Sequence, residues 1–138
     1  MSFADWVSNG WLVAHKSSKQ EIGNLLGIVA RDLKDSEAKD VSYDWRFAIA
    51  YNAALAAAGY RASRESHHYR VIHSLELTVR KDAKFIRAFD AFRKKRNVSN
   101  YDIGGGISHR EVEEMIAIAR TLQELVQQWI RANHATLL

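Results

Sequence analysis

The sequence predicts an all-α fold, an up-and-down bundle of four to five helices. Three observations carry that expectation. The 138 residues include no proline, the residue that most often punctuates loops, turns and strand edges. Apolar residues recur at helical spacing along most of the chain, and no segment alternates as a strand would. Two pieces, Ser18-Lys19-Gln20-Glu21 and Ser108-His109-Arg110-Glu111, read as capping boxes that open helices. The composition, 47% hydrophobic and 26% charged, is that of a globular chain and argues against disorder. The length suits one domain, so residues 1–138 are read as a single unit, with 1–17 an N-terminal extension packing on the bundle.

Each element follows from its own pattern. Residues 3–9 make a short helix capped by Ser2 and stopped at Asn9-Gly10. After the first capping box, Ile22, Leu25, Leu26, Val29 and Leu33 form one face of an amphipathic helix over about 19–38. Asp40 or Ser42 caps the next helix, which runs to about Ala58 and ends at Gly59. From Trp45 it is alanine-rich and apolar almost all round, interrupted by Tyr51 and Asn52, as a helix packed on several sides would be. Central burial explains most of that surface, and one face is a candidate dimer interface. Residues 60–65 form a polar connection. A third helix is expected from near Ser66 with Ile72, Leu75 and Val79, and a fourth capped by Asp82 with Phe85, Phe89 and Phe92. Arg80-Lys81 is a break or a kink between them. The glycine-rich stretch 98–108 is expected to be a loop. The longest helix follows, with Val112, Met115, Ile116, Ala119, Leu122, Val126, Trp129 and Ile130 on one face.

Charge is unevenly spread. The chain carries a net +4, yet residues 61–96 alone hold eleven Lys or Arg against four Asp or Glu. A basic segment on an otherwise slightly acidic chain is the electrostatic footprint of a polyanion partner, although a solvated helix face has the same composition. With no cysteine there is no disulfide, thiolate metal site or thiol nucleophile. No histidine pair has the i, i+3 or i, i+4 spacing of helical metal ligands, so no metal and no cofactor is expected. Gly104-Gly105-Gly106 lacks the Lys-Ser/Thr of a phosphate-binding loop. The N-terminus lacks a basic region ahead of its apolar residues, and no window has eighteen uninterrupted apolar residues. A cytoplasmic protein without membrane association is the default expectation.

The most informative stretch is Phe89-Asp90-Ala91-Phe92-Arg93-Lys94-Lys95-Arg96-Asn97. On a helix, Arg96 projects about 20° from Phe89 and Arg93 about 40° to the other side. Two arginines thus continue the line of the buried phenylalanines, where an unpaired charge is costly. They need a carboxylate, a partner subunit or a polyanionic ligand. Asp90 and Glu76 are the carboxylates considered for a purely structural pairing.

The pieces AYNAALAAAGYR (50–61), HHYRVIHSL (67–75) and FRKKRNVSNYD (92–102), followed by a long terminal helix, resemble the HEPN domain family, most closely its small stand-alone prokaryotic members. The likeness covers about residues 18–131. It implies a helical bundle that pairs as a homodimer and works with RNA, nucleotides or a nucleotidyltransferase-like partner, often in toxin–antitoxin or defence systems. Many HEPN proteins are metal-independent ribonucleases whose motif is an Arg, usually a polar residue, and a His after four to six intervening residues. Arg96-Asn97 matches the first half. The histidine positions fall on Tyr101, Asp102 and Ile103, or, counted from Arg93, on Val98, Ser99 and Asn100. A tyrosine is a poor base at neutral pH. His67, His68 or His73 would have to supply that function if the fold brought one near.

The expected site therefore combines Arg96, Asn97 and Tyr101 as the catalytic candidates with Arg93, Lys94, Lys95, Asn100, Arg61, His67 and His68 as nucleic-acid contacts. Two functions remain open at this point. One is a dimeric RNA- or nucleotide-binding protein with or without cleavage. The other is a non-catalytic protein-interaction module of a two-gene system, bound to an antitoxin or a nucleotidyltransferase-like protein.

Overall fold

A computed structural model describes residues 3–9, 18–58, 71–76, 80–101 and 106–138. Its regular structure is helical, with no strand among the described residues. We number the long elements α1 (Phe3–Ser8), α2 (Lys19–Asp35), α3 (Tyr43–Ala58), α4 (Ala83–Tyr101) and α5 (His109–Asn133). A helical turn over 71–73 leads into a 3-10 turn, Ser74–Glu76, and a last 3-10 turn covers Ala135–Leu137.

The helix starts follow their caps. Ser18 Oγ accepts from the Glu21 amide at 3.2 Å, satisfying one of the amides that the first turn leaves without a helical partner. Ser42, rather than Asp40, opens α3, its Oγ accepting from the Trp45 amide at 3.3 Å. Asp82 opens α4 by accepting from the Phe85 amide at 2.9 Å. At α5 the capping box is complete, since Ser108 Oγ accepts from the Glu111 amide and Glu111 accepts from the Ser108 amide.

Arg80-Lys81 is a true break. Arg80 adopts a left-handed backbone (φ 54°), which no helix can continue, and the Lys81 amide turns back to the Leu75 carbonyl at 3.2 Å. The expected loop at 98–108 needs a correction. Helix α4 carries on to Tyr101, so residues 98–101 are helical. The three glycines begin only at Gly104, and nothing between Val98 and Tyr101 breaks a helix. Helix α2 stops at Asp35 rather than 38, where buried Ser36 caps it and gives its hydroxyl to the Leu33 carbonyl at 2.7 Å. The expected caps at Ser2 and Gly59, the helix start near Ser66, and Val79 lie outside the described residues.

Helix α3 is central. It packs against α2, α4 and α5, and Ala50, Ala53, Ala54 and Ala57 are buried within the chain. Their small side chains let the neighbouring helices come close, and this packing covers much of the apolar surface of α3. Tyr51 is fully buried and Asn52 exposed. One continuous buried cluster draws on α2, α3, α4 and α5, with Val71, Ile72 and Leu75 from the connecting turns. Helix α1 buries Trp6.

Two edge-to-face ring pairs set the register between α3 and α4: Tyr51 on Phe89 (centroids 5.8 Å) and Phe47 on Phe92 (5.3 Å). As the α3 number falls by four the α4 number rises by three, so the helices are antiparallel. The next step pairs the turn of Tyr43 with the turn of Lys95 and Arg96. The Tyr43 and His109 rings lie 5.5 Å apart, so α3 and α5 begin at the same end of the bundle where α4 finishes.

Candidate functional site

The basic half of α4 is organised by one buried carboxylate. Asp90 is 9% exposed and sits one residue after the fully buried Phe89. Arg93 Nε donates to its Oδ1 at 2.7 Å, as i, i+3 spacing on a helix permits. Lys94 Nζ stands 3.8 Å from Oδ2. His73 Nε2, brought in from the short turn before the break, is 4.0 Å from Oδ1. Arg93 is only one-fifth exposed, so its pairing with Asp90 answers the cost of a core-aligned charge within the chain. Of the two carboxylates considered for this pairing, Asp90 is the one that takes it.

His73 is the histidine that the fold brings to this segment. Its Nε2 edge is buried toward Asp90, and the side chain as a whole is 29% exposed. At 4.0 Å the carboxylate is a near neighbour of the ring nitrogen rather than its hydrogen-bond acceptor, and an imidazole is the side chain best suited to moving a proton near neutral pH. A neighbouring arginine offers charge to a phosphate. The sequence named His73 as a substitute base; its approach to Asp90, seventeen residues on and beyond a break, had no sequence signal.

Lys95 turns the other way and pairs with Glu111 at the start of α5, tying the end of α4 to the next helix. Burial pushes the Glu111 carboxyl up, but the hydrogen bonds from Lys95 and Ser108, with the lysine charge, outweigh it and hold the group below the usual glutamate range. A lowered pKa stabilises the fold in full above the ordinary glutamate value, and that contribution disappears as pH falls through the lowered one. Glu111→Gln should therefore lower the urea midpoint at pH 7, with the gap to wild type closing in acid. A gap that stays constant with pH would show that the Glu111 charge contributes nothing.

Arg96, Asn97, Asn100 and Tyr101 occupy the last turns of α4, directly beyond this cluster; only their backbone is described. Arg61, His67 and His68 lie outside the described residues, as do Asp102 and Ile103. The structure thus brings Arg93, Lys94 and His73 around Asp90, and sends Lys95 to α5. Among the described residues no group of three or more His, Asp or Glu side chains converges as metal ligands would. No described helix is long and apolar enough to cross a membrane.

Two exposed rings stand at this end of the bundle that the sequence reading did not single out. Tyr43 is 45% exposed and the His109 side chain 53%. A signal for Tyr43 existed. Tyr43, Phe47 and Tyr51 recur every four residues, so the aromatic stripe that packs on α4 extends one turn past the core.

No protein-family model matches this chain, and no curated protein or solved structure matches it either.

Proposed function

We propose that this protein is a HEPN-like helical dimer that binds RNA through the C-terminal half of α4. The observation that carries this reading is the Asp90 cluster. One buried carboxylate fixes Arg93 and gathers Lys94 and His73 at the head of the Arg93–Asn97 run. Cations and donors held on a rigid helix suit a phosphate backbone better than the same groups on a loop. Arg96 and Asn97, on the next turn of the helix, are the proposed phosphate- and sugar-binding residues, and Asn100 and Tyr101 the proposed contacts at its last turn. The homodimer rests on the HEPN resemblance, as do an antitoxin or nucleotidyltransferase-like partner and a cytoplasmic setting.

Cleavage, where it occurs, is a metal-independent transesterification. The His73 imidazole takes the proton of a ribose 2′-hydroxyl, whose oxygen attacks the adjacent phosphorus. The P–O5′ bond breaks, and the 5′-oxygen leaves with a proton from water or imidazolium. The products are a 2′,3′-cyclic phosphate and a 5′-hydroxyl. The test is incubation of a single-stranded RNA with the protein in excess chelator. Binding with such products, lost in His73→Gln while affinity is kept, supports both halves of the reading. Binding without cleavage supports an RNA-binding protein alone. No binding overturns the proposal.

The second reading, a non-catalytic interaction module, is favoured by a specific observation. Arg93 and Lys95 already have carboxylate partners inside the chain, as a structural helix end would require. A stable complex with a co-expressed neighbouring gene product, together with no affinity for RNA, would select it.

A further inference from the structure

We infer that the paired rings of Tyr43 and His109 form a stacking platform for an unpaired base of single-stranded RNA whose backbone lies along the end of α4. This rests on the RNA-binding reading above and adds a second kind of contact to it.

Three features converge. The rings are 5.5 Å apart and tilted by 56°, so each supports the other while about half of each side chain stays open. The two rings open different helices, each held at its start by a serine cap, so the platform sits on rigid elements rather than a loop. The antiparallel ring register places the turn of Tyr43 beside the turn of Lys95 and Arg96, and Lys95 reaches Glu111, two residues from His109. The platform therefore adjoins the basic helix end.

Both signs of charge surround the rings. Arg46 Cζ lies 6.0 Å from the centre of the Tyr43 ring while its Nε donates to the Ser36 carbonyl, and Arg110 beside His109 is largely exposed and pairs with Glu114 at 3.0 Å. Glu113 stands 3.4 Å from His109 Nε2, and the other acids nearby, Glu111 and Glu114, are paired with Lys95 and Arg110. Every base has a π-face, so stacking of this kind tolerates sequence and selects unpaired strands over duplexes. Trp45 is more exposed still, at 66%, but it lies about 200° around α3 from Tyr43 and off the platform.

The test compares three probes by fluorescence anisotropy: a single-stranded oligouridylate, the same length as duplex, and inorganic polyphosphate, which has charge and no bases. Tyr43→Ala should weaken single-strand binding by about tenfold, the usual worth of one stacked base. Tyr43→Phe should retain it, and Trp45→Ala should leave it unchanged. Polyphosphate binding should be the same in all of them. Equal loss for oligouridylate and polyphosphate in Tyr43→Ala would overturn the platform, and so would no loss, or an equal loss in Trp45→Ala. If wild type binds polyphosphate but no RNA, the RNA reading itself fails. If it binds RNA and Tyr43→Ala binds as well as wild type, only the platform fails. Thermal melts of each variant separate a lost contact from a lost fold.

Discussion

Replacing Phe89 with alanine should lower the free energy of unfolding by about 3–5 kcal/mol, the range for truncating a buried aromatic. Phe89 is fully buried and meets Tyr51 edge-on, so its removal costs both transfer free energy and a cavity that alanine-lined α3 cannot collapse to fill. Among the described residues, the Phe47–Phe92 pair and buried Ile86 are further apolar contacts of α4. Helix α3 packs far more extensively on α2 and α5 than on α4. The same substitution should therefore loosen the Arg93–Asn97 segment and reduce RNA affinity together with stability. Urea unfolding measures the first effect directly. A loss below about 1 kcal/mol, the level of an ordinary surface change or less, would mean that the ring pairs do not hold α4 in place.

Arg96→Ala should have the opposite signature. Affinity for single-stranded RNA should fall by about ten- to a hundredfold, the loss of one charge-assisted contact worth roughly 1.5–3 kcal/mol. The urea midpoint should hardly move, because the proposed role of Arg96 is a contact to RNA, one turn beyond the Phe47–Phe92 pair, and not a contact within the bundle. Arg93→Ala is the informative contrast. It leaves Asp90, a mostly buried carboxylate, without its 2.7 Å donor, so stability must fall as well. If Arg96→Ala unfolds the protein while Arg93→Ala does not, the roles assigned to these two arginines are reversed.

Much of the helical order was legible because capping and periodicity are local. Ser18, Ser42, Asp82 and Ser108 each satisfy an amide three residues away, and sequence spacing alone exposes such pairs. The end of α4 was misread because glycine content was averaged across 98–108, whereas helix propagation depends on each residue in turn. The Arg93–Asp90 pair was visible as an i, i+3 spacing. His73 meeting Asp90 was not, because the contact crosses the left-handed break at Arg80, and no local pattern sets the direction in which a chain leaves such a turn. Tyr43 meeting His109 depends likewise on α3 and α5 starting at one end, a consequence of bundle topology rather than of either residue's neighbours.

The most direct measurement of RNA binding at the α4 end is the salt dependence of affinity for a single-stranded oligonucleotide. Each phosphate neutralised on a single strand contributes about −0.7 to the slope of log K against log salt. A surface engaging roughly four cations predicts a slope near −3, reduced by about 0.7 in Lys94→Ala, whose side chain is open to solvent. Binding that is absent, independent of salt, or of unchanged slope in Lys94→Ala and Arg96→Ala would contradict an RNA site on this helix.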